Sequence, residues 1–273
     1  MFAPKLIDQA LNRYLPKRGE LAKAMRYSVF AGGKRFRPIL VMEAARVCGS
    51  RTRRALPAAC AVELIHTFTL IHDDLPAMDD SDLRRGKPTS HKVFGEDIAI
   101  LAGDALNTLA FKILADHCPE VAGELAEGLL KVVEGQVLDL KSEGKKIGFA
   151  QLHQIHLLKT AALIESSVRI GAILAGASKK KITALTAYAR HLGLAFQITD
   201  DILDVVSEEK ILGKPARADQ KAAKATYPGL LGLDKAKALA ARHHRLAVGS
   251  LKIFGDRAED LIEIADLAVG RKK

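Results

Sequence analysis

Residues 97–116 read DIAILAGDALNTLAFKILAD. Apolar side chains at Ile98, Leu101, Ala102, Ala105, Leu109 and Ile113 recur three or four positions apart. That spacing matches the turn of an α-helix and predicts one with a buried face. The pattern returns over 119–142, through Val121, Leu125, Leu129, Val132, Val133 and Leu140. It returns again over 149–176, 181–206, 233–252 and 257–268. Breaks fall at Gly32-Gly33, Cys48-Gly49-Ser50, Gly86-Lys87-Pro88, Glu143-Gly144, Gly213-Lys214-Pro215 and Pro228-Gly229. Alanine is frequent, β-branched residues do not alternate, and no segment reads as a strand. The expectation is an all-α bundle of about ten helices with short connections. No Ser/Pro/Gly-rich linker interrupts it, so residues 1–273 are expected to form a single domain.

Composition narrows the function. The 273 residues are 48% hydrophobic and 27% charged, which places them among globular chains with a substantial core. A formal net charge of +10 favours anionic partners: nucleic acid, an acidic membrane surface or small phosphorylated ligands. There is no tryptophan, and aromatics are only 5%, so stacking platforms for single strands are few and no nucleic-acid partner is expected. Cys48, Cys60 and Cys118 form no CxxC pair and no even framework; they read as small apolar fillers in a reducing compartment. The N-terminal stretch MFAPKLIDQALNRYLPKR lacks the order of a signal peptide. No uninterrupted apolar stretch approaches the roughly 20 residues a membrane helix needs, so no membrane span and a cytoplasmic location are expected.

Two acidic clusters break the pattern of solvated charge. In FQITDDILDVV, residues 196–206, Asp200 and Asp204 are four apart and Asp201 and Asp204 three apart, on one helical face. They sit within an apolar frame of Leu192, Leu194, Phe196, Ile198, Ile202, Leu203 and Val205, where solvation is a poor remedy for like charge. A hard divalent cation is a better one, and magnesium takes one or two carboxylates plus waters and phosphate oxygens. In LIHDDLPAMDDSDLRRG, residues 70–86, Asp73 and Asp74 close a helix that begins near Ala55. Pro76 should break it and return Asp79 and Asp80 toward Asp73, with spacing unable to choose between those two.

Cations accompany the acids. AGGKRFRP, residues 31–38, joins a Gly-Gly turn to Lys34, Arg35 and Arg37, a set suited to an anion, although a helix cap with exposed basic residues would look the same. Arg84 and Arg85 follow the first acidic cluster, and His66 lies two helical turns before Asp73. The pairs His153/His156 and His243/His244 lack acidic company at ligand spacing and read as surface. Together these features suggest metal-bridged binding of one diphosphate and metal-free binding of a second anion, at the mouth of an apolar cavity.

GGKRFRP, LIHDDLPAMDD with LRRGKPT, GQVLDL (135–140), LLKT (157–160), FQITDDILD and LGK resemble trans-isoprenyl diphosphate synthases, most closely bacterial farnesyl diphosphate synthases, over about residues 20–230. The resemblance implies an all-α isoprenoid synthase fold around a deep central cavity, usually as a homodimer. It implies magnesium, three ions per site with manganese a possible substitute, held by Asp73, Asp79, Asp200 and Asp204, with Asp74 and Asp80 in support. Asp201 and Asp219 would lie near. It implies that Lys34, Arg37, His66 and Arg85 bind isopentenyl diphosphate. Arg84, Lys159 and Lys214, with Lys224 a lesser candidate, would grip the allylic diphosphate. Thr160, Gln197, Gln136 and Asp139 would line the reacting carbons and metal waters, with Lys159, Thr160, Gln197 and Arg84 the catalytic set. An aromatic at Phe68 with an enlarged first acidic motif resembles synthases that stop at fifteen carbons. The implied reaction is head-to-tail condensation of isopentenyl diphosphate with dimethylallyl and geranyl diphosphate. The alternatives are a geranylgeranyl or other chain-length synthase, a terpene cyclase, and an inactive basic helical interaction protein; GGKRFRP argues against the cyclase, and intact acidic motifs against the inactive protein.

Overall fold

The computed structural model describes residues 4–50, 52–212 and 225–270, without the side chains of 52 and 207–212. It is almost wholly helical, as the periodicity predicts. Its contacts divide into two compact units.

The first unit comprises residues 1–125 and 170–177. It holds α1 (Pro4–Tyr14), α2 (Glu20–Val29), α3 (Phe36–Val47), α4 (Leu56–Asp73), α5 (Ser90–Phe94) and α6 (Glu96–His117). α4 is its axis and packs mainly on α6 and α3. Ala58, Ala59, Ala61, Val62, Leu64 and Ile65 of α4 are fully buried, so this helix is apolar nearly all round, as a core helix must be. α6 corrects two expectations. Its buried face is Ala99, Ala102, Gly103, Leu106, Ala110, Ile113 and Leu114, whereas Leu101 is 53% exposed. The helix has apolar residues all round, and the period alone joins Ala102 and Ile113, which are buried, to Leu101, which is not. For the same reason α6, although charges interrupt its sequence, is the one helix among the described residues long and apolar enough to cross a membrane, with a window of mean hydropathy 1.6. It packs on α4 and α2, and 39% of that window is buried.

The unit also contains a short ladder where no strand is expected. β1 (Leu83–Arg84) pairs antiparallel with β2 (Lys87–Pro88). The connecting Arg85 and Gly86 both have positive φ, 53° and 74°, the conformation of a two-residue hairpin turn.

The second unit comprises residues 126–169 and 178–273. α7 (Ala122–Ser142) enters it from residue 126, and α8 (Phe149–His156) follows. A π-helical turn, Leu157–Ala161, joins α8 to α9 (Ala162–Leu174), whose residues from 170 belong to the first unit. Beyond lie α10 (Lys179–Leu212), α11 (Tyr227–Leu231), α12 (Leu233–Ser250) and α13 (Glu259–Gly270). α10 packs on α12, on α13 and on the π-turn. Ile147, Leu152, Ile155, Ile198, Tyr227, Ala236 and Ala240 form a core cluster. Cys60 and Cys118 are buried and free, and burial pushes their thiols up to about 12 and about 11, in keeping with filler roles.

Candidate active site

The first acidic motif forms where α4 stops. Pro76 ends the helix as expected, and the chain doubles back: the Asp79 N–H donates to the Asp73 carbonyl at 2.9 Å and the Ser81 N–H to the Asp74 carbonyl at 3.2 Å. Asp79 is thereby carried back beside Asp73. Asp80 turns outward with φ at 46°. Asp74 points inward instead. It is 3% exposed, and Arg84 Nε donates to both of its carboxylate oxygens at 2.9 and 2.8 Å, with Nη2 adding a third bond at 2.6 Å. Asp74, expected among the metal ligands, is thus paired with the Arg84 guanidinium in this structure, while Asp73 and Asp79 lie together at the turn. Two of the Arg84 nitrogens are thereby turned to Asp74. Burial works against the Arg84 charge, but Asp74, Asp73 and Asp79 outweigh it and raise the pKa.

The Gly-Gly turn separates its three cations. Gly32, Gly33 and Arg35 all have positive φ, 112°, 119° and 52°. This winding sends Arg35 inward, where it is 4% exposed and donates to Glu63 Oε1 and Asp8 Oδ1 at 2.7 Å each and to the Val29 carbonyl at 2.8 Å. Lys34 stays exposed and Arg37 half-buried. Arg85, carried by the hairpin, donates to the Gly32 carbonyl and lies over Gly33, where a Cβ would come within 2.6 Å of its Nη1. That close approach is what glycine at 33 permits.

His66 sits within this positive group. Its Nε2 is 3.4 Å from Arg37 Nη1, so it acts as acceptor, because guanidinium can only donate. Burial, then the charges of Arg37, Arg85, Arg84 and Arg35, hold its pKa well below the ordinary histidine range. Burial also lowers Arg85; Glu63 opposes this, and Arg35 and Arg84 add to it. Arg37, Arg85, Arg84 and Arg35 thus gather positive charge around His66, an arrangement that favours an anion. Phe68, half-buried one turn before His72 on α4, meets the His72 ring edge-on at 4.9 Å.

In the second unit the π-turn contains Lys159 and Thr160. Such turns widen a helix by one residue and often occur at functional sites. Gly135 of α7 faces it so closely that a Cβ would lie 2.7 Å from the Lys159 Cα and 2.8 Å from the Leu158 carbonyl carbon. Lys159 Nζ donates to Asp139 Oδ2 at 2.7 Å. Thr160 Oγ1 donates to Gln197 Oε1 at 2.9 Å, Gln197 Nε2 to Asp201 Oδ1 at 3.1 Å, and the Tyr227 N–H to Asp201 Oδ2 at 3.0 Å. Asp201 is 6% exposed, and burial raises its pKa to about 6 against the opposing bonds from Tyr227 and Gln197. Asp200 is half-buried and Asp204 exposed on the same helix. Both oxygen and nitrogen of the Gln136 amide are buried without a protein partner among the described residues. Lys214, Asp219 and Lys224 lie outside the described residues.

The histidines depart from expectation. His156 and His243 are buried, at 9% and 8% exposure, rather than on the surface. The sequence signal was available: each lies on the apolar stripe of its helix. His153 Nδ1 meets the Tyr227 hydroxyl at 3.0 Å, His191 Nδ1 meets His243 Nδ1 at 3.1 Å, and His244 pairs with Asp266 at 2.7 Å.

The sequence pattern of the polyprenyl synthetase family matches residues 18–251. The chain belongs to that family. A farnesyl diphosphate synthase of Geobacillus stearothermophilus is 45% identical over 97% of this chain and 94% of its own. The large subunit of a heterodimeric geranylgeranyl pyrophosphate synthase of Arabidopsis thaliana is 47% identical over 98% of this chain and 77% of its own. Among solved structures, a polyprenyl synthase from Caulobacter crescentus, complexed with calcium and isoprenyl diphosphate, superimposes with a TM-score of 0.89 at 31% identity, covering 99% of this chain and 95% of that one. The chain is accordingly a trans-prenyltransferase with the isoprenoid synthase fold.

Proposed function

We propose that this prenyltransferase condenses isopentenyl diphosphate with dimethylallyl and then geranyl diphosphate to give farnesyl diphosphate. What supports the reading is a pair of unlike side-chain clusters in the first unit, one acidic and one basic. The Asp73/Asp79 turn needs a cation to meet a diphosphate, whereas Lys34, Arg37 and Arg85 around the neutral His66 need none. A cyclase, acting on one diphosphate, has no use for the second kind. Phe68 supports the fifteen-carbon product by its place on α4 before the acid turn. The geranylgeranyl name of several relatives favours a second reading with a longer product.

The donor set fits a hard divalent cation. Among the described residues no group of three or more His, Cys, Asp or Glu is placed to hold a metal ion, but magnesium asks the protein for only one or two carboxylates. Asp73 with Asp79, and Asp200 with Asp204, would supply them for three ions, with manganese a possible substitute. Bound there, magnesium supplies Lewis-acid withdrawal of charge from the departing pyrophosphate. In the first unit Arg84 would be a cation for that leaving group; in the second the resemblance gives this part to Lys159 and, outside the described residues, to Lys214. Lys34, Arg37, His66 and Arg85 would orient the isopentenyl double bond toward the allylic C1. Thr160 Oγ, the Gln197 carbonyl and the Lys159 backbone would present negative dipole ends to the allylic cation. The released pyrophosphate would take the final proton. We take residues 1–273 as one catalytic domain, acting in the cytoplasm as a homodimer.

The test is incubation with isopentenyl diphosphate and five- or ten-carbon allylic diphosphates, with and without magnesium, followed by chromatographic sizing. Magnesium-dependent farnesyl diphosphate is the expected product. A twenty-carbon product would select the second reading, and a hydrocarbon formed without consuming isopentenyl diphosphate would overturn the synthase assignment.

A further inference from the structure

Asp201 belongs by sequence to the second acidic motif, yet it is placed unlike Asp200 and Asp204. It is 6% exposed, and both of its oxygens are engaged, one by the Tyr227 N–H at 3.0 Å and one by Gln197 Nε2 at 3.1 Å. A carboxylate only accepts. The Gln197 side chain must therefore present its NH2 to Asp201, and its carbonyl oxygen must face the other way, where Thr160 Oγ1 donates to it at 2.9 Å. The direction of an amide dipole beside the π-turn is thus decided by a carboxylate one turn further along α10.

We propose that Asp201 is a positioning residue: it fixes the rotamer of the Gln197 amide so that oxygen, and not NH2, lies beside Thr160 at the reacting carbons. This rests on the prenyl-transfer reading, in which a cation develops there and the negative end of a dipole stabilises it. Reversing the amide would place two N–H donors against the same cation.

Asp201→Asn separates this role from the others, because it preserves shape. The oxygen of the substituted amide still accepts from the Tyr227 N–H, so its NH2 must face Gln197. Gln197 then turns over, its oxygen accepting from that NH2 and its own NH2 pointing to Thr160. Every hydrogen bond is kept and only the dipole is inverted. The expected result is a fall in kcat of about a hundredfold, the size typical of losing one oriented donor or acceptor at a reacting centre. KM for both diphosphates should stay within about twofold and the thermal midpoint within a few degrees. Adding Gln197→Glu should restore kcat at least tenfold, because a carboxylate at position 197 accepts from the amide at position 201 with one oxygen and offers the other to Thr160. In protein labelled at threonine methyls, the nuclear Overhauser contact between the Gln197 side-chain NH2 and the Thr160 methyl should be weak in wild type and strong in D201N, a readout that needs no turnover.

Wild-type kcat in D201N overturns the proposal, as does a loss that Q197E fails to rescue. A loss recovered by raising magnesium concentration also overturns it, since Asp201 would then be a ligand. If D201N does not fold, the double variant decides: its hydrogen bonds are complete, so an active double variant supports the proposal and an unfolded or inactive one rejects it. A wild-type protein that turns over no isopentenyl diphosphate would reject the proposed function instead, leaving the methyl contact to judge the Gln197 orientation on its own.

Discussion

Neighbouring residues of one motif do different work here, and substitutions should tell them apart. Lys34 and Arg35 are adjacent, but the left-handed backbone at Arg35 turns one to solvent and the other into an ion-pair network with Glu63, which is 3% exposed. Arg35→Ala would leave Glu63 charged and buried without its partner, which costs about 3–5 kcal/mol; a correspondingly lower urea midpoint is expected. Lys34→Ala should leave that midpoint within about 0.5 kcal/mol while raising KM for isopentenyl diphosphate by about tenfold, the loss of one charge-assisted contact. Equal stability of the two variants would contradict the geometry. Phe68 carries a separate expectation: Phe68→Ala should lengthen the product on chromatography, because the ring meets His72 at 4.9 Å just before the acid turn and its removal clears that stretch of α4. The sequence identified these residue types, and Pro76 read as a break returned Asp79 and Asp80 toward Asp73; spacing did not choose between those two, and the choice of Asp79 came from the family resemblance. The sequence did not separate Arg35 from Lys34, or Asp74 from Asp73, because whether a charge faces inward depends on partners such as Glu63 and Arg84 that periodicity does not report.

At the scale of the element, the π-turn is the feature least visible beforehand. Residues 149–176 read as one continuous helix, and they are nearly so; the extra residue at 157–161 changes no hydrophobic period by enough to notice. Its counterpart is Gly135. Because a Cβ at 135 would fall 2.7 Å from the Lys159 Cα, and backbone cannot move aside as a side chain can, Gly135→Ala should force α7 and the turn apart. Overpacking of this kind costs about 1–3 kcal/mol, and here it would also displace the Lys159–Asp139 pair and Thr160. We expect a lowered thermal midpoint together with a larger fractional loss of kcat than Gly123→Ala, where nothing lies within 4 Å. Comparable kinetics in the two variants would show that the turn tolerates the shift. α6 gives the complementary lesson: helix and length were legible, but apolar residues all round left the buried face undetermined until α4 was in place.

For the whole molecule, the buried histidines set how stability responds to acid. His156 and His243 have pKa values lowered to about 4, in both cases chiefly by burial, and His66, His153 and His191 are lowered too. In the unfolded chain they titrate near the ordinary value of about 6.5. Below that pH the unfolded state binds protons the folded state refuses, so stability is intact above about 6.5 and is lost progressively as pH falls toward 4. Asp201 acts in the opposite sense: its pKa of about 6 means the folded state takes a proton before the unfolded one does, returning some stability below 6. With about 1.4 kcal/mol per unit of pKa difference, His156 and His243 together outweigh Asp201, for a net loss of about 2 kcal/mol between pH 7 and pH 5. That is a sizeable part of a typical folding free energy of about 5–15 kcal/mol. Urea denaturation at the two pH values should show the drop, and His243→Gln should make it smaller, since the substituted side chain cannot take up a proton in either state. Stability that stays level or climbs over the same interval would mean that these imidazoles are already hydrated or charged in the fold, contrary to their burial.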